Sequence, residues 1–137
     1  MNAIIPTYKD IFMTTVLISI FTAVLMSHTG AEAKTLVTGE YASSSGNNII
    51  LNLHILNPAP ANLIVEQHLS PQNSVVSTSP KAKKKSAGKI KWLFRNTVNG
   101  SFSISIQLRS ALQGKIKAVI RYRDPVSGDF IESNISP

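Results

Sequence analysis

The residues with the most chemistry to offer are the cations, and they are unevenly spread. Lys81, Lys83, Lys84 and Lys85 crowd a segment rich in Pro, Ser, Ala and Gly. Lys89, Lys91 and Arg95 share one parity of the run around Trp92. Lys115, Lys117, Arg121 and Arg123 share one parity of a later run. In an extended chain, residues two apart point to the same side. If the two runs lie in one sheet, Lys89, Lys91, Arg95, Lys115, Lys117, Arg121 and Arg123 stand on a single exterior surface. Such a surface concentrates phosphate, sulfate or carboxylate groups around itself. The competing account is that outward sheet positions are polar in any soluble domain, and that lysine discourages edge-to-edge pairing. We carry the seven residues forward as a candidate anion-docking face.

No other set of residues assembles a recognisable reaction centre. His54 and His68 fall on the polar parities of their segments, and only Glu66, two residues before His68, offers a nearby carboxylate. Both imidazoles are expected to face solvent rather than a metal. Glu40, Glu66, Asp124, Asp129 and Glu132 are scattered, with Asp124 and Asp129 framing a turn around Pro125 and Gly128. There is no Gly-rich phosphate loop and no Gly-x-Ser-x-Gly elbow. Nothing marks a histidine and an acid beside a serine. We therefore expect no catalytic residues, no cofactor and no metal. Trp92 and Phe94 could form a stacking platform, but they share the parity of Ile90 and are expected in the core. Nucleic acid would want exposed aromatics among the cations. Only Tyr122, expected inward, and Phe130 lie near, so nucleic acid is disfavoured as a partner.

The elements that must hold these residues read as strands. From Thr35 onward apolar residues recur with period two, and no stretch keeps a helical period for three turns. Ile49, Leu51, Leu53 and Ile55 form one inward parity; Leu63, Val65 and Gln67 a second; Ile90, Trp92 and Phe94 a third. Phe102, Ile104, Ile106 and Leu108 form a fourth, and Ile116, Ala118, Ile120 and Tyr122 a fifth. Shorter candidates are 36–41, 74–77 and 129–132. Breakers at 43–48, 57–61, 70–73, 79–88, 96–100, 113–114 and 124–128 separate them, since Pro and Gly interrupt ladders and Asn and Ser bond their own backbones. Seven or eight short strands, each with one apolar face, predict an all-β fold with two antiparallel sheets packed face to face. A barrel is the alternative closure.

The N-terminus follows a different logic. Ile11 to Met26 carries no charge, Lys9 precedes it, and Ala31-Glu32-Ala33 follows. Small residues at the two Ala positions fit a signal peptidase cutting before Lys34. The run is short for a span, which takes roughly 20 apolar residues; a retained anchor is the alternative. Residues 1–33 are thus expected to be a signal peptide and 34–137 a single β-sandwich domain. The chain has no cysteine, so neither a disulfide framework nor a thiolate site is available. The whole chain carries +7; removing residues 1–33 takes away one lysine and two acids and leaves +8.

The order of elements from Asn57 to Leu108 resembles the conserved-repeat domains of bacterial and archaeal surface proteins. The matching residues are Asn57, Ala61-Asn62-Leu63-Ile64-Val65, Leu69-Ser70-Pro71, Gly88-Lys89-Ile90-Lys91-Trp92, and the alternating run from Gly100 to Ile106. The chain departs from that pattern at Ser70, which interrupts a Leu-Pro pair, and at the lysine run. The resemblance implies an Ig-like sandwich, a structural or adhesive role outside the cytoplasm, and no catalytic residues.

These observations lead to a secreted, periplasmic or cell-surface module without enzymatic activity. It would contact a protein or an anionic polymer of the envelope, and meet the membrane only transiently through its signal peptide. One alternative is a strand-exchanging subunit, with 43–48 as hinge for the segment from Thr35. The other is a small secreted hydrolase without a recognisable motif.

Overall fold

Period-two apolarity becomes nine strands in a computed structural model that describes residues 34–137. They are β1 (Val37–Ser45), β2 (Asn48–Ile55), β3 (Asn62–His68), β4 (Val75–Ser79), β5 (Lys84–Ser86), β6 (Lys89–Arg95), β7 (Gly100–Leu108), β8 (Lys117–Arg123) and β9 (Phe130–Ile135). The expected signal segment, 1–33, lies outside the described residues. Thr35–Pro137 forms one compact unit.

The strands build a four-stranded sheet, β1-β2-β7-β4, and a five-stranded sheet, β5-β6-β3-β8-β9. Every pairing is antiparallel. The five inward parities meet in one core, where Ile49, Leu51, Leu53, Leu63, Val65, Ile104, Ile106 and Ile120 are essentially sealed from solvent. Alternation is the cause: burying one parity of a strand exposes the other, so register and sheet faces are set together. The arrangement is all-β, two layers around one core.

Most buried side-chain polar atoms among the described residues are paired; His68 Nε2 is the exception. Gln67, fully buried on the inward parity of β3, donates through Nε2 to the carbonyls of His68 and Lys117, both at 3.1 Å. Its Oε1 accepts from the Tyr41 hydroxyl at 2.9 Å, which ties β1 to the opposite sheet. Burial pushes that tyrosine's pKa up to about 12, against the effect of the Gln67 bond. Trp92 Nε1 donates to the Pro80 carbonyl at 2.9 Å, and the Tyr122 hydroxyl accepts from the Leu36 N–H at 2.9 Å. Phe94 and Phe102 meet edge to face, ring centroids 4.9 Å apart.

Three expectations change. The breaker at 43–48 is mostly strand: Ser43–Ser45 continue β1 past a bulge, and β1 turns directly into β2 at Gly46-Asn47. Gly46 supplies the positive φ (63°) that this two-residue turn requires. The breaker at 79–88 contains β5, because the lysine run pairs with β6 through Lys84↔Lys91, Lys85↔Ile90 and Ser86↔Lys89. Lys115 lies just before β8 rather than on it. β1 also approaches β9 closely: a Cβ on Gly39 would collide with the Ile135 side chain and come within 2.8 Å of Leu53 Cδ2.

Candidate anion-docking face

The sheet order decides which cations share a surface. β6 and β8 both pair with β3, so they flank it in one sheet and their outward parities form one face. Lys89, Lys91 and Arg95 project from β6, and Lys117, Arg121 and Arg123 from β8. Lys84 on β5, opposite Lys91, extends the face. Lys115 is exposed at its margin. Against these seven strand cations the same face carries two carboxylates, Glu66 on β3 and Glu132 on β9, the latter opposite Arg121.

Glu66 is the centre of the face, and parity explains its place. It lies between Lys91 and Val119 in register, in line with half-buried Ile64 and His68. Its side chain is only 9% exposed, and its register neighbour Val119 is buried as well. Arg121 Nη1 approaches Oε1 at 3.1 Å and Lys91 Nζ approaches the same oxygen at 3.3 Å. Lys89 Nζ and His68 Nε2 lie near Oε2, at 3.6 and 3.7 Å. Arg121 also reaches Glu132 Oε2 through Nε at 2.6 Å.

These contacts tune the ionisable groups. Burial pushes the Glu66 carboxyl up, but hydrogen bonds from Arg121 and Lys91 and the nearby Lys89 charge outweigh it and hold the group below the usual glutamate range. His68 is held below the usual histidine range by burial first, then by Lys89 and Lys117, with Glu66 opposing. The Glu132 bond raises Arg121 further.

The seven sequence-designated cations are therefore not equivalent. Arg121, Lys89 and Lys91 lean toward Glu66. Arg123 Nη1 donates to the Gly128 carbonyl at 2.7 Å. Among the described residues no carboxylate lies within ion-pair distance of Lys84, Arg95, Lys115, Lys117 or Arg123. Lys84 was hidden from the sequence by its turn-like neighbours. Glu66 shared its parity with the cations' shared face only once β3 was known to sit between them.

The opposite face has a different chemistry. Outward positions of the four-stranded sheet are mostly Ser, Asn and Thr, with Glu40 the one charged strand residue among those described. Cross-strand pairs satisfy each other there: Ser103 Oγ donates to Asn52 Oδ1 at 2.7 Å, and His54 Nδ1 meets Ser101 Oγ at 2.8 Å. His54 and His68 thus stand on outward faces of different sheets and cannot share an ion. Asp124 is a turn residue: Oδ1 accepts the N–H groups of Val126 and Ser127 at 2.7 and 2.9 Å. Trp92 and Tyr122 are buried, whereas Phe130, opposite Arg123, is 60% exposed. No helix among the described residues is long and apolar enough to cross a membrane. No protein family, curated protein or solved structure matches this chain.

Proposed function

We propose that the protein is an exported, non-enzymatic Ig-like module of the cell envelope or extracellular space, and that it docks an anionic polymer on the outer face of its five-stranded sheet. The observation carrying this reading is that β6 and β8 flank β3, so that Lys84, Lys89, Lys91, Arg95, Lys117, Arg121 and Arg123 project from one surface against only Glu66 and Glu132. The other sheet's face, where Glu40 is the one charged strand residue among those described, supports it by contrast, since solvation alone would have distributed charge over both faces. The ladder already fixes the backbones of the strand cations, so binding has only their side chains to order. The Ig-like assignment is supported by strand order. With the β5–β6 hairpin set aside as an insertion, β1-β2-β7-β4 and β3-β8-β9 follow the ABED and CFG orders of a constant-type Ig sandwich.

Retention on a heparin column tests the docking role. Wild type should elute late, and earlier as salt shortens the Debye length from ~10 Å at 0.1 M to ~3 Å at 1 M. Replacing Lys84, Arg95, Lys117 and Arg123 by Ser should bring elution close to that of an uncharged control protein. Equivalent changes at Ser101 and Ser103 to Ala should leave it unmoved. Early elution of folded wild type at low salt would refute the reading.

A further inference from the structure

The Glu66 carboxylate is shared unevenly. Oε1 has two cationic partners within 3.3 Å, whereas Oε2 has Lys89 Nζ at 3.6 Å and His68 Nε2 at 3.7 Å, both beyond a good hydrogen bond. His68 Nε2 is buried and has no hydrogen-bond partner. An orphaned buried nitrogen is costly, and the carboxylate oxygen that lies 3.7 Å from it is the one that Lys89 also approaches. The groups facing the imidazole are Glu66 on its own strand, Lys89 on β6, and Lys117 and Arg121 on β8. Lys89, His68 and Lys117 are register partners, so two ammonium groups flank the ring in one row across three strands.

We propose, on the basis that this face docks an anionic polymer, that His68 is a proton-operated latch: on taking a proton from solvent its imidazolium claims Glu66 Oε2, frees Lys89, and lets Lys89 join Lys117 as an added oxyanion subsite. The movement needed is less than an ångström at Nε2, and the bond it makes is charge-assisted. Lys89 is half-exposed on a flexible stem and swings outward without disturbing the ladder. Strands two apart place the Cα atoms of Lys89 and Lys117 roughly 10 Å from each other, a span that two four-carbon stems close around one sulfate or carboxylate. Burial and the flanking lysines keep the ring neutral near pH 7, while Glu66 stays ionised well into the acid range. Acidification then adds one positive charge to the face without removing its central anion.

The experiment is the affinity of the full domain for a heparin fragment, measured from about pH 7.5 to about pH 4.5, a range carried well below the ordinary histidine value because His68 is lowered, while heparin sulfates stay charged. Binding should tighten by about fivefold or more, the lower end of typical coupling between linked sites. His68→Asn should bind like wild type at the upper pH and lose the tightening. His54, on the other sheet, serves as the internal control: His54→Asn should keep it. By linkage, saturating heparin must raise the His68 titration midpoint seen by NMR. Intact binding that is flat with pH, an unchanged slope in His68→Asn, or a His68 midpoint unmoved by heparin would overturn the latch and leave the docking face standing. Absence of heparin binding at any pH would overturn both.

Discussion

A carboxylate in the middle of a basic face lowers its net charge, yet removing it would not simply make the face more basic. Arg121, Lys91 and Lys89 converge on Glu66 from two strands, and without it three cations crowd one nearly dry spot. Glu66→Gln should destabilise the domain by about 1–3 kcal/mol, the range for leaving a buried polar group without its partner. Partial exposure of the cations keeps the effect below that of a fully buried pair. The pH dependence has a fixed sign. Folding lowers the Glu66 value, so its contribution is present above the ordinary glutamate range and lost as pH falls through the folded value. Folding also lowers His68, favouring the neutral ring; that contribution is present above about pH 6.5 and lost as pH falls through the folded value. Stability should therefore decline in two acid steps. Thermal melts against pH should show the earlier step vanish in His68→Asn and the later one in Glu66→Gln.

At the scale of the element, strand phase is the property on which the whole face depends. Trp92 is 2% exposed, with its indole N–H bonded to Pro80, whereas Lys91 beside it points outward. Trp92→Ala should cost about 3–5 kcal/mol through lost burial and a residual cavity. Lys91→Ala should cost at most about 1 kcal/mol, because its ion pair is half-exposed and Arg121 keeps Oε1 occupied. Urea titrations of the two variants check this, and equal losses would mean that the strand is read in the wrong phase. The phase itself was legible in sequence for β2, β3, β6, β7 and β8, since each carries two to four apolar residues on one parity and mostly polar ones on the other. β5 was not legible: Lys84-Lys85-Ser86 has no apolar alternation, and only its position against β6 makes it a strand. Nor was the end of β1, where Ser43-Ser44-Ser45 is held by pairing to Ile50, Ile49 and Asn48 rather than by its own β propensity. Short edge strands owe their form to a neighbour, and a one-dimensional pattern does not contain the neighbour.

Over the whole molecule the same limit separates what the candidate site owed to parity from what it owed to topology. That Lys89, Lys91 and Arg95 face one way follows from local alternation. That they stand across β3 from Lys117 and Arg121, with Glu66 and His68 between, follows from a sheet order no local pattern records. The start of the domain bears on the expected processing in a similar way. Leu36 and Val37 are buried, Leu36 donates its N–H to the Tyr122 hydroxyl, and its carbonyl accepts from Leu56 N at 2.8 Å. A cut beyond Leu36 would remove core residues and unpair a buried tyrosine, whereas a cut between Ala33 and Lys34 leaves every one of these contacts in place. Lys34 and Thr35 are exposed and supply a short accessible stretch between the cleavage motif and the core. We predict that the exported protein begins at Lys34. Intact-mass measurement of secreted or periplasmic material should show the loss of residues 1–33, and Ala33→Phe, which crowds the small subsite of the peptidase, should leave the precursor uncut. Wild-type chain recovered at full length in the membrane fraction would instead make the N-terminal segment an anchor.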